Sequence, residues 1–139
     1  MAQAHGEFGV GREFETVLVD CLTRTQIVQY AGAAGDFNPL HTDEVFAITV
    51  AGYGSTIAHG MLTMGMTGRF LTDLLGDDRL VRFGGRFVAI VWPGDTLRVR
   101  ATIDAVDSDA RKLVELSLIT RNQHGDVVFV GYASARHAN

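Results

Sequence analysis

Cysteine is almost missing from this chain. Cys21 stands alone among 139 residues, so no disulfide can close within the chain and no cysteine-rich zinc site can be assembled. Excess positive charge is missing too. The 12 lysines and arginines are dispersed among 16 acids for a net charge of −4, which leaves no cationic face for a nucleic acid backbone or an anionic membrane. No apolar run is long enough for a bilayer span, the longest mainly apolar region being Ile57–Met66. The opening MAQAHGEFG has neither the basic start nor the apolar core of a signal peptide. These absences point to a reducing cytoplasm. With 47% hydrophobic residues the chain can bury a core unaided, and its length suits one domain over residues 1–139.

Residues 1–11 are glycine-rich and without periodicity, so a loose lead-in is expected there. Val17, Leu18, Val19 and Leu22 then suit a first strand within Phe14–Leu22. Thr23 and Gln26 match a capping box, and Leu22 with Ile27 can staple across it. Ile27, Tyr30, Ala31 and Ala34 follow at helical spacing, with Gly35 placed to end the helix in a left-handed turn. Phe37-Asn38-Pro39 makes a turn, because proline fixes its own φ and pushes Asn38 out of the helical region. Thr42, Asp43 and Glu44 open a second helix, and AGYGS (51–55) reads as a loop.

The longest helix is expected from about Ala58 to Leu75, closed by Gly76. Met61, Leu62, Met64, Met66, Phe70, Leu71, Leu74 and Leu75 cover nearly all its faces, so something must wrap it. Strand-like stretches follow at Leu80–Trp92, Thr96–Val106, Lys112–Arg121 and Val127–Arg136, separated by Pro93-Gly94-Asp95, Asp107-Ser108-Asp109 and Asn122–Asp126. Leu97, Val99, Ala101, Ile103 and Ala105 alternate with polar residues, which gives one buried and one wet face. The fold class is α+β: one long helix wrapped by a curved antiparallel sheet. Such a sheet leaves edges, and a homodimer is an economical way to cover them.

Asp36 and His41 are the strongest candidates for chemistry. A carboxylate and an imidazole five residues apart across a turn can hold one water and move its protons; the alternative is that each caps a turn or helix. The Gly60 amide at the start of the long helix has no partner within it and can polarise a carbonyl, or Gly60 can simply permit close packing. Asn38 can satisfy backbone groups of the turn. His59 has the look of a third catalytic histidine or, with His41, of a metal pair, but no carboxylate stands at a ligand-like offset on the same helix, so no metal is expected. His5, His124 and His137 fall in ends or turns where solvation suffices. AGYGS and FGG lack the context of a nucleotide loop. Arg82, Arg86, Arg98, Arg100 and Lys112 receive no role.

Gly35 to His41 reproduces Gly-Asp-x-Asn-Pro-x-His, the hydratase motif of the MaoC-like hotdog family of (R)-specific 2-enoyl-CoA hydratases and 3-hydroxyacyl dehydratases. The His-Gly-Met-Leu at His59–Leu62 and the Pro-Gly-Asp at Pro93–Asp95 match as well, and the resemblance spans about Phe8 to Arg136. It implies a hotdog fold, an acyl tunnel beside the central helix, Asp36 and His41 as the groups that bind and activate water, the Gly60 amide in an oxyanion hole, and Asn38 in support. Some members carry a serine in the central helix where this chain has Thr67-Gly68, so no role passes to that position.

The implied reaction is reversible syn addition of water to a trans-2-enoyl thioester, giving an (R)-3-hydroxyacyl thioester. No cofactor is expected beyond coenzyme A or acyl carrier protein as the substrate's own carrier. The rivals are a hotdog subunit, active or purely structural, that works only in a heteromer with another hotdog chain, and an acyl-CoA thioesterase. The second is disfavoured because the central helix carries no acid before Asp73.

Overall fold

The computed structural model describes residues 8–107 and 112–137. The described residues form β1 (Glu13–Val19), α1 (Arg24–Ala34), α2 (Glu44–Thr49), α3 (Gly60–Leu75), β2 (Leu80–Phe87), β3 (Leu97–Val106), β4 (Leu113–Arg121) and β5 (Val127–Arg136). The strands make one antiparallel sheet in the order β1-β3-β4-β5-β2. β1 and β2 are its edges. This is the expected α+β plan, with α3 packed against the sheet.

Alternation decides which face of β3 meets the helix. Leu97, Val99, Ala101 and Ile103 are buried while Arg98, Arg100 and Asp104 are exposed. Ala105 departs from the expected pattern and is exposed, because an irregularity between Ile103 and Ala105 shifts the register and turns Val106 inward instead. Leu71 and Leu75 of α3 pack onto Ala101, Ile103, Val114, Leu116, Leu118, Ala133 and Ala135. A second cluster lies nearer the start of the helix and joins Leu22, Ile27, Ala58, Val91, Leu97, Val128 and Phe129. Full burial of each Leu or Phe here stabilises by about 1.5–3 kcal/mol.

The helix is covered less completely than its composition suggests. Thr63, Thr67, Leu71 and Leu75, spaced by four, are its buried face, whereas Met61 is 54% exposed. Leu62, Met64 and Met66 are partly buried against the second cluster. A single sheet can cover one stripe of a helix, and here that stripe includes two threonines. Thr67 is accommodated because its hydroxyl donates to the Thr63 carbonyl at 2.9 Å.

Three boundaries differ from expectation, each because of a partner distant in sequence. Residues 1–7 lie outside the described part, but Phe8–Gly11 is no loose lead-in: Phe8 packs on the first cluster and the Gly11 N–H donates to the Ile103 carbonyl at 2.7 Å. β2 stops at Phe87 rather than Trp92, since Val88 and Ala89 both donate to the single Val128 carbonyl and the chain leaves the sheet. That departing segment accepts the Ala58 N–H on the Val91 carbonyl at 2.9 Å, so α3 begins two residues late, at Gly60. Gly76 closes α3 by donating to the Thr72 carbonyl, at φ 107° and ψ 147° rather than in the left-handed helical region. Ser108 and Asp109 of the expected β3–β4 turn lie outside the described residues.

The Pro-Gly-Asp turn is structural. Its Gly94 N–H donates to the Leu22 carbonyl at 2.6 Å and its Asp95 carbonyl accepts from the Leu22 N–H at 2.8 Å, while the buried Asp95 carboxylate accepts from Trp92 N–H and Gln123. The turn thus fixes the residue that precedes α1.

Candidate active site

α1 delivers the first site residue. Thr23 and Gln26 form the reciprocal capping box, with contacts of 3.0 and 2.9 Å, and Gly35 ends the helix at φ 70° and ψ 18°, a conformation glycine adopts without steric cost. Asp36 therefore emerges into a loop built from side chain to main chain. Its Oδ1 accepts the Asn38 N–H at 3.3 Å, and Asn38 Oδ1 accepts the Leu40 N–H at 3.0 Å. These consecutive turns carry the chain round Pro39 to His41, whose N–H returns to the Asn38 carbonyl at 3.1 Å. Asn38 is exposed and its side-chain oxygen is engaged inside the loop. Arg24 braces the surroundings: its guanidinium donates to buried Thr56 at 2.7 Å and to Glu44 at 3.1 Å, tying α1 to α2 and to the approach to α3.

The tautomer of His41 follows from one contact. Its Nδ1 lies 2.7 Å from the Ile57 carbonyl, and a carbonyl only accepts, so Nδ1 carries the proton and Nε2 of the neutral ring is a bare lone pair. Nε2 faces Asp36 Oδ2 at 4.0 Å. The expected pair is brought together, too far apart for a direct hydrogen bond. Asp36 is 52% exposed by side chain and does not line the adjoining cavity.

His59 completes the cluster, and sequence spacing alone undervalues it. Its ring stacks on His41 with centroids 3.6 Å apart and planes 23° apart, and Tyr30 meets it edge-on at 4.8 Å. Its Nε2 donates to the Asp36 main-chain carbonyl at 3.1 Å. Only 2% of it is exposed, and burial, helped by neighbouring His41, pushes its pKa below the ordinary histidine range against the opposing pull of the Asp36 carbonyl and carboxylate. The signal in the sequence was its place at the entrance of a helix, where Ser, Thr, Asp or Asn would cap better.

Asp36, His41 and His59 bring ligand-type atoms within 4.8 Å of one another, so the trio was tested as a metal site. An imidazole binds a metal in its ring plane at about 2.0–2.1 Å. Two nearly parallel stacked rings cannot both aim their lone pairs at one ion in that way, and His59 Nε2 is already engaged as a donor. The donor set does not fit a cation in this arrangement.

Gly60 is the first residue of α3, and its amide has no acceptor inside the helix. Together with His41 it lines a cavity of about 370 Å³ whose apolar wall includes Phe87, Val88, Ile90 and Val128. A Cβ at residue 60 would stand 2.9 Å from the Phe87 ring, so glycine is demanded by packing whatever else its amide does. A larger groove of about 780 Å³ runs between β1, α1 and α3, but none of the three clustered ionisable residues lines it. Arg98 and Arg100 are paired with Glu15 at 3.0–3.2 Å, and Asp73 pairs with Arg69 across one turn on the exposed face of α3.

A hotdog-type domain with an acid and two imidazoles gathered at the entrance of its central helix is the class that fold and site define. The chain belongs to the MaoC-like domain family, whose model matches residues 7–123. It is 38% identical over 100 residues to the enoyl-CoA hydratase ChsH3 of Mycobacterium tuberculosis, covering 70% of this chain and 32% of that protein. It is 32% identical over 124 residues to the peroxisomal enoyl-CoA hydratase 2 of Arabidopsis thaliana, covering 86% and 38%. The chain spans about a third of the length of these relatives. Among solved structures, the R-hydratase PhaJ1 of Pseudomonas aeruginosa superposes with a TM-score of 0.82 at 26% identity, covering 95% of this chain and 84% of that one. No helix among the described residues is long and apolar enough to cross a membrane.

Proposed function

We propose that this chain hydrates trans-2-enoyl thioesters reversibly to (R)-3-hydroxyacyl thioesters. The observation that carries the proposal is the pair of acceptors at the site: the bare Nε2 of His41 and the Asp36 carboxylate, 4.0 Å apart. One water can donate a proton to each, and with donor distances of about 2.8 Å its two acceptors stand about 4.4 Å apart. A water held by both hydrogens presents its oxygen lone pairs outward, toward an acyl chain in the cavity that His41 and Gly60 line.

The chemistry then divides between groups. The water oxygen bonds to Cβ as its proton passes to the His41–Asp36 pair, and the electron pair of the double bond moves onto Cα and the thioester oxygen. The Gly60 amide, with the positive end of the α3 dipole behind it, stabilises that oxygen. Return of a proton to Cα completes the addition of one water. The thioester serves as the electron sink, so the scheme uses no metal or redox cofactor; coenzyme A or an acyl carrier protein enters only as part of the substrate. Asn38 supports the pair by shaping the loop. The (R) outcome rests on the motif and on the likeness to PhaJ1, an R-hydratase by name.

The sheet edges at β1 and β2 support a homodimer, or a heteromer with another hotdog chain, and the single cysteine supports a reducing cytoplasm as the site of action. Hydrolysis is not favoured, because Asp73 is engaged at the surface, away from the cluster. The test is direct: purified protein, sized by light scattering, is given crotonyl-CoA and longer 2-enoyl-CoAs, and loss of the conjugated thioester absorbance is followed. Turnover to the (R) alcohol is the expected result. Absence of turnover at every chain length would end the proposal.

A further inference from the structure

His59 occupies the N-cap of α3 and yet makes no capping hydrogen bond. The side chain best suited to stabilise that helix end is absent, and an imidazole is turned inward instead. There it makes four contacts, each with a part of the cluster or its wall: the Asp36 carbonyl, the Asp36 carboxylate at 3.9 Å, the face of His41 and the edge of Tyr30. Its Nδ1 is buried and has no partner. That orphan atom is informative. Since Nε2 must carry the proton it donates to a carbonyl, Nδ1 is a lone pair in the neutral ring; a second proton there would place an unsatisfied, charged N–H in a buried site, beside another imidazole.

We infer that His59 is a positioning residue, which fixes the Asp36 main chain by its Nε2–H and the plane of His41 by stacking, without touching the substrate. The inference rests on the hydratase reading for its kinetic consequence. His41 is thereby restrained at both of its free dimensions: the Ile57 carbonyl sets its rotation within the ring plane, and His59 sets the plane. Asp36, half exposed and at a helix end, has otherwise only the loop turns to hold it. The ionisable groups packed against His59 are Tyr30 from α1 and Asp36 and His41 from the loop. Burial lowers the pKa of His59, and in its neutral form the ring beside His41 carries no charge that would oppose protonation of the base during turnover.

The test uses two side chains of identical chemistry and different reach. In His59→Gln the amide nitrogen can take the place of Nε2, while in His59→Asn it falls at the place of Nδ1. The Gln variant is expected to keep kcat within about fivefold, the scale of a lost ring contact, and the Asn variant to lose about ten- to hundredfold in kcat, with KM changed less than about twofold, because the reacting groups are displaced rather than the substrate site. A second readout needs no turnover: nitrogen NMR of the histidine-labelled full chain should show Nε2–H with bare Nδ1 for His59 and the reverse for His41, and in His59→Asn the His41 pattern should become a mixture of tautomers. Wild-type kcat in His59→Asn, equal losses in both variants, or a protonated Nδ1 on His59 at neutral pH would each overturn the inference. If the wild-type chain turns over no enoyl thioester, the NMR pattern still decides the positioning role on its own.

Discussion

The two halves of α3 are built on opposite terms. Its C-terminal half buries Leu71 and Leu75 in an all-apolar cluster against the middle of the sheet. Its N-terminal half is entered through His59 and buries Thr63 and Thr67, and Thr63 lines a cavity that the sheet does not fill. Buried imidazole and hydroxyl groups stabilise a fold less than leucines of similar size would, so the leucine half anchors the helix and the polar half leaves its open end beside the candidate site. Substitutions should therefore separate stability from activity according to which half they touch.

The largest effect belongs to the anchoring half. Leu71→Ala should lower unfolding free energy by about 2–5 kcal/mol, measured by denaturant titration, while kcat per folded molecule stays near wild type; a large fall in kcat with unchanged stability would break the division. Asp36→Asn and His41→Ala should do the reverse. Each should reduce kcat by at least about a hundredfold, the scale of a lost acid or base, with a melting transition close to the parent's. Near-full rates in either variant would remove that residue from the mechanism.

Gly60 lies where the two halves' demands meet, and Gly60→Ala sharpens the comparison. The added methyl meets the Phe87 ring and should cost about 1–3 kcal/mol of stability by overpacking. Combining it with Phe87→Ala should relieve the clash and restore stability without restoring kcat/KM, if the substrate needs the same close approach to the amide. Full recovery of both would assign Gly60 to packing alone. The smallest effect concerns pH. His59 has its pKa depressed in the folded chain, so the unfolded chain takes up its proton first as pH falls. Stability should decline as pH drops below the ordinary histidine range and level off below the depressed value. His59→Gln should flatten that part of the profile, and an unchanged slope would show that His59 is not the group responsible.

Local patterns were legible in the sequence where their partners were local. The Thr23–Gln26 capping box, the Gly35 terminus, the Asn38-Pro39 turn and the alternation through Leu97–Ile103 each depend on neighbours a few residues away, and each is present. The approach of Asp36 to His41 was legible for the same reason. What escaped depends on distant backbone: the docking of Phe8–Gly11 onto Ile103, the end of β2 at the Val128 carbonyl, and the burial of His59 under the Asp36 carbonyl, 23 residues back in the chain. The burial of Thr63 and Thr67 in place of Met61 escaped because composition around a helix does not reveal which stripe the sheet will cover.

The central claim is that the acid and the bare imidazole nitrogen hold one water opposite the first amide of α3. Its most direct test is to hydrate trans-crotonyl-CoA with the wild-type protein in heavy water and determine both new stereocentres of the product by NMR and chiral chromatography. The account predicts the (R) alcohol with deuterium at Cα added to the same face as the hydroxyl. An (S) alcohol, or deuterium on the opposite face, would contradict it.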